Sequence, residues 1–175
     1  MERAGDDERG EFFPFLRGPS MLGLSSRELG WSDLLVEQRS AGSGERPEAI
    51  AEHYILALVC KHPWTGEHPN GRGRFVSTAN VPGMITLISP GIVPAIRTTV
   101  GCNHVLCSLK SSFVKGVENE LDRRPAQSPW SRGGLLDPAI RQLMKLLADE
   151  AAQGGPSGRL YADHLGHALA VRLLL

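Results

Sequence analysis

Cysteine is scarce in this chain. Cys60, Cys102 and Cys107 are the only three in 175 residues. An odd number at these spacings fits no disulfide framework, and the four-residue gap between Cys102 and Cys107 fits no usual zinc pair. Buried thiols on strands in a reducing, cytoplasmic setting are the expectation. Long apolar runs are missing too. None approaches the roughly 20 residues needed to cross a membrane, so no membrane partner is expected. Residues 1–20 hold acids and no apolar core segment, so no secretory signal is expected there. Charge of one sign is also absent: 19 Lys and Arg balance 19 Asp and Glu, and the longest basic run is Arg123-Arg124. A surface that grips nucleic acid by its phosphates needs a basic face. No DNA-binding element is therefore read within these residues.

Glycine (20) and proline (12) are plentiful, which favours short strands and many turns over a helical bundle. A length of 175 residues suits one domain with a real core. Residues 1–23 read as a flexible leader, with one apolar clump at 12–16 that could dock on the body. Strands are then expected at 33–39, 53–60, 74–78, 84–88, 95–100 and 104–109. Turn signals separate them, Asn70-Gly71 and Pro82-Gly83 among them. Six or seven such strands argue for a barrel or sandwich.

After residue 111 the period changes. A short helix fits 112–121, with Phe113, Val117 and Leu121 on one face. Residues 124–134 form a Pro/Gly/Ser loop. Asp137-Pro138 marks a helix start, with Asp as N-cap and Pro in the first turn. Ile140, Leu143, Met144, Leu147 and Ala151 then form an apolar stripe. Gly154-Gly155-Pro156 ends that helix. A last helix is expected from 159 to the end, with Leu160, Leu165, Ala168, Leu169 and Leu173 on its apolar side. The terminal Leu173-Leu174-Leu175 has no cap or polar tail, so a natural protein longer than 175 residues is expected.

Four stretches carry a family resemblance. They are Leu24-Ser25-Ser26-Arg27-Glu28-Leu29-Gly30-Trp31 with Leu34-Leu35-Val36-Glu37; Pro82-Gly83-Met84-Ile85-Thr86-Leu87-Ile88-Ser89-Pro90-Gly91; Gly133-Gly134-Leu135 with the helix from Asp137-Pro138; and Leu160-Tyr161-Ala162-Asp163-His164-Leu165-Gly166-His167-Ala168-Leu169-Ala170-Val171. In this order they resemble the N-terminal part of AraC-type bacterial transcription regulators. The resemblance implies an α+β fold: a cupin-like jelly-roll barrel over 24–111, followed by two or three helices in a linker and dimerisation region over 112–175. It implies a barrel that senses a small-molecule effector and helices that pair two subunits. DNA would be bound only through helix-turn-helix units that these residues lack.

Metal-dependent cupin enzymes are the alternative. They need imidazoles and a carboxylate inside the barrel to hold a metal with an open coordination position. This chain has no His-x-His, and Ile92-Val93-Pro94 follows Ser89-Pro90-Gly91 where such enzymes often place a His. No metal or other cofactor is expected. Ser111-Ser112 lacks a nucleophile elbow, and Gly71-x-Gly73 is too short for a phosphate loop. A non-enzymatic role is expected. Ligand contacts are sought among residues that break the apolar pattern or cap the barrel: His53, Tyr54, Trp64, Arg74, Thr86, Arg97 and His104. Alternation allows only one of His53 and Tyr54 to look inward. Arg97 could bind a carboxylate through its fork, or be a solvated strand charge. Dimer contacts are sought at Ile140, Leu143, Leu147, Leu165 and Leu169, in a homodimer.

Overall fold

The structure is a computed structural model, and it describes residues 12–13, 20–70, 72–121 and 132–175. Twelve strands are seen among them: β1 (Ser20–Ser25), β2 (Leu34–Ala41), β3 (Gly44–Arg46), β4 (Ala49–Ala51), β5 (Tyr54–Val59), β6 (Trp64–Pro69), β7 (Phe75–Asn80), β8 (Ile85–Ile88), β9 (Gly91–Val93), β10 (Ile96–Thr98), β11 (Cys102–Leu109) and β12 (Arg132–Leu135). Three helices accompany them: α1 (Ser111–Glu120), α2 (Pro138–Ala152) and α3 (Gly158–Leu174). A six-stranded sheet runs β1-β2-β11-β5-β8-β12, a four-stranded sheet β3-β10-β6-β7, and β4 with β9 forms a small ribbon. Every pairing is antiparallel. This is the cupin-like jelly roll followed by helices.

Alternation along the large sheet explains its two faces. Leu34, Val36, Leu56, Leu58, Ile85, Leu87, Val105, Cys107 and Leu109 point one way and build the main core with the helices. Their neighbours Leu35, Ile55 and Leu106 point into the barrel. A strand buried on both faces has no polar side, so β5 reads as a continuous apolar run.

The helices form where capping and apolar spacing predict. Asp137 Oδ1 accepts the N–H groups of Ala139 (2.9 Å) and Ile140 (3.0 Å) at the start of α2. Gly154 and Gly155 take positive φ after α2. The buried Glu150 carboxylate then accepts the Ser157 N–H and hydroxyl, which fixes the approach to α3.

Three expectations need correction. Residues 20–23 belong to β1, not to a leader, because β1 pairs with β2. Phe13 is buried at one end of the barrel against Leu35, Ile55 and Leu106, while residues 1–11 and 14–19 lie outside the described residues. The loop expected at 124–134 lies largely outside them as well, but Arg132–Leu135 forms β12 on the edge of β8. The face that α3 buries is also rotated from the expected stripe. It presents Ala162, Gly166, Leu169, Ala170 and Leu173 inward, while Leu160 and Ala168 are exposed. Small residues let the helix lie close to the sheet. A Cβ at Gly166 would stand 2.5 Å from Leu34 Cδ2, inside the core. Gly166→Val is therefore expected to destabilise by about 1–3 kcal/mol through overpacking, despite the better helix propensity of Val. Urea unfolding measures this, and an unchanged midpoint would mean that α3 docks less tightly than described.

Candidate functional site

The barrel interior is polar at one end. On its large-sheet wall, β2 alternates so that Glu37 and Arg39 share the inner face with Leu35. Glu37 is 1% exposed and Arg39 8%. Arg39 Nε donates to Glu37 Oε2 at 2.6 Å, Arg39 Nη1 to Ser20 Oγ at 3.0 Å, and Ser25 Oγ to Glu37 Oε1 at 3.2 Å. Each charge has its counterpart, as burial requires. His104 on β11 stands opposite Arg39 in register, and Cys102 opposite Ala41.

The facing wall is the four-stranded sheet. Trp64 opens β6 and meets His104 edge-on, with ring centroids 5.4 Å apart and planes at 86°. Gly66 makes room for the indole: a Cβ there would sit 2.7 Å from the Trp64 ring and 2.8 Å from Ile96. Arg46 on β3 pairs in register with Ile96 and reaches across the barrel, where Nη2 donates to Cys102 Sγ at 3.9 Å. Val59, Met84, Ile96 and Ala41 supply the apolar lining around Trp64 and Cys102.

Burial, and secondarily the Arg46 charge, push the His104 imidazole down to about 4 from its usual 6.5. The ring is therefore neutral at physiological pH. Between pH 6.5 and 4 the unfolded chain binds a proton at His104 that the folded chain refuses. Stability from this residue is thus complete above 6.5 and is lost as pH falls toward 4. Compared with wild type, His104→Gln should lose this slope in urea unfolding between pH 7 and 4. Parallel pH profiles for the two proteins would show that His104 titrates normally.

Of the residues proposed from sequence, the structure brings Trp64 and His104 together, and alternation puts Thr86 on the same inner face of the large sheet. His53 lies just before the opposite end of β5 and packs against Phe12, with centroids 5.1 Å apart and planes tilted at 55°. Tyr54 turns to the helix side, where burial and the Glu118 charge raise its hydroxyl pKa. Arg74 is exposed beside the β6–β7 turn, where Asn70 Oδ1 accepts the backbone N–H groups of Arg72 and Arg74. Arg97 points outward, pairs with Glu45 and covers the Phe75 ring at 4.7 Å. It is a solvated strand charge.

Glu37, Arg39, Arg46 and Cys102 escaped the sequence reading. For Glu37 and Arg39 a signal existed: two charges share the strand face of Leu35, opposite Leu34 and Val36. The cysteines are free, with Cys102 and Cys107 buried on β11 as expected. Burial pushes the Cys107 thiol up to about 12, so it is an inert core group.

A metal-holding cupin needs several ligands at one point. Here this end of the interior offers, among the described residues, one imidazole, one thiol and a carboxylate already bound to Arg39. No group of three His, Cys, Asp or Glu side chains gathers among the described residues. The Arg46 guanidinium beside His104 further opposes a cation. The residues present do not fit a divalent metal.

No family model matches the sequence, and no curated protein matches it. Among solved structures, the AraC-like transcriptional activator CuxR superposes with a TM-score of 0.59 at 14% identity, over 89% of this chain. The chain spans 54% of that activator's length. A cupin superfamily protein from Desulfitobacterium hafniense matches 54% of this chain and 80% of its own, at 10% identity and a TM-score of 0.41. An oxalate decarboxylase variant from Bacillus subtilis matches 55% of this chain and 26% of its own, at 17% identity and a TM-score of 0.40. The likeness to the activator runs through barrel and helices alike, and what it shows is the fold. Among the described residues, no helix is long and apolar enough to cross a membrane.

Proposed function

We propose that this chain is the effector-sensing and dimerising part of an AraC-type transcription regulator, acting in the cytoplasm and without catalysis of its own. The observation that carries this reading is the superposition on the AraC-like activator across 89% of the chain, barrel and helices together. DNA contact is assigned to residues outside these 175, in keeping with the greater length of that activator.

The fold offers a route for control. β2 and β11 each carry site residues on one face and helix contacts on the other. Arg39 and His104 line the interior, while Val36, Val105 and Cys107 lie under the helices. An effector that shifts either strand moves the floor on which α2 and α3 rest. Control then requires different effector affinity in the two helix arrangements.

The dimer face differs from the sequence expectation. Ile140, Leu147 and Leu169 are 3%, 0% and 0% exposed and belong to the chain's own core, with Leu143 and Leu165 packed at its edge. These residues hold the helices to the barrel. The outer side of α3 takes the interface role instead, through Leu160 and Ala168, exposed eight residues apart, and Leu175 just beyond the helix. The test fuses the chain to a DNA-binding domain that represses a reporter only as a dimer, with sedimentation equilibrium of the chain alone. Repression and a two-fold mass are expected. A monomer at tens of micromolar, without repression, refutes the proposal.

A further inference from the structure

Two donors at this end of the interior, the half-buried Arg46 guanidinium and the buried Trp64 indole, lack a strong acceptor among the described residues. Glu37 is committed to Arg39 and Ser25. Arg46 makes no ion pair among the described residues, and its hydrogen bond runs 3.9 Å to a thiol, a weak acceptor. Trp64 is 9% exposed, and its buried Nε1–H has no acceptor. A buried donor such as the Trp64 N–H is costly to leave unmet, and an acceptor arriving from outside would recover that cost. Both donors belong to the four-stranded sheet and approach the large sheet at β11, through Cys102 and His104. Val59, Met84, Ile96 and Ala41 add an apolar lining beside them.

We infer that this end of the barrel binds a small organic carboxylate with an apolar body, with Arg46 as its charge partner and the Trp64 indole N–H as a second donor. The inference rests on the sensor reading and names the effector class for that site. A planar guanidinium matches the two oxygens of a carboxylate, and the pairing strengthens away from water. His104 remains uncharged beside Arg46, its ring at right angles to the indole. Val59, Met84 and Ile96 receive the apolar body. Trp64 Nε1 is closed off from solvent, so entry displaces a neighbour. Met84, with its flexible thioether chain, is the lining residue that yields most easily.

The test is thermal unfolding of the whole 175-residue chain with benzoate and butyrate, against the neutral isosteres benzamide and butyramide, each at about 10 mM. The carboxylates are expected to raise the midpoint and the amides to leave it unchanged. Calorimetric titration with benzoate should show affinity reduced about tenfold or more in Arg46→Met, partly restored in Arg46→Lys, and lowered severalfold in Trp64→Phe. Arg97→Met, an outward strand arginine, should bind as wild type does. No shift with either carboxylate overturns the inference, as does equal binding of benzoate by Arg46→Met. Stabilisation by the amides alone overturns it too, while leaving the sensor reading in place. Benzoate binding in a chain that fails the dimer test removes the regulator and leaves this site.

Discussion

Arg39→Met is expected to destabilise the fold by about 3–5 kcal/mol, because it strands the Glu37 carboxylate inside the barrel. That carboxylate is 1% exposed, and its remaining partner is the Ser25 hydroxyl at 3.2 Å. The methionine also loses the bond from Arg39 Nη1 to Ser20. The edge strand β1 would loosen with it, since Met21 and Leu22 are exposed and bury little on the sheet. The double variant Glu37→Gln, Arg39→Met removes both charges and should recover most of the loss. A buried ion pair is costly to break and much less costly to replace whole. Urea unfolding of the two single variants and the double gives the coupling directly. A loss under about 1 kcal/mol in Arg39→Met would mean that water reaches Glu37, and the interior would then be a wetter site than described.

Elements that carry their own signal were legible in the sequence. Asp137-Pro138 and Gly154-Gly155 bracket α2 because capping is local chemistry, and the structure shows both ends. β2, β5, β8 and β11 are legible because each carries a run of apolar residues. β6 is not: Trp64-Thr65-Gly66-Glu67-His68-Pro69 has the composition of a turn, and it is a strand because it pairs with β7 and β10. β1 is equally silent, since polar bonds from Ser20 and Ser25 to the buried pair help to hold it. The site divides the same way. Trp64 and His104 stand out as residues that interrupt strand patterns. Arg46 sits on a three-residue strand, where only the register with Ile96 decides that it faces inward. Tyr54 and Arg97 were chosen for their chemistry, but pairing turned each to the wrong face. Facing is a tertiary property, and a one-residue change of phase reverses it.

Two leucines on α3 should respond in opposite ways to substitution. Leu169 is fully buried between the helices and the large sheet. Leu169→Ala leaves a cavity there and is expected to lower stability by about 2–5 kcal/mol. The loss should persist at every protein concentration, because the contacts removed lie within one chain. Leu160 is 71% exposed in the first turn of the same helix. Leu160→Glu removes little packing, and its charge favours a helix N-terminus, so monomer stability should change by no more than about 0.5 kcal/mol. Its effect falls on association: a charge placed in an apolar two-fold interface meets its own copy nearby or is stripped of water, and the dimer should weaken at least about tenfold. Sedimentation equilibrium reads the second effect and urea unfolding the first. If Leu160→Glu dimerises as wild type does, the outer side of α3 is not the interface. If Leu169→Ala proves harmless, α3 does not rest on the sheet as described, and the route from barrel to helices goes with it.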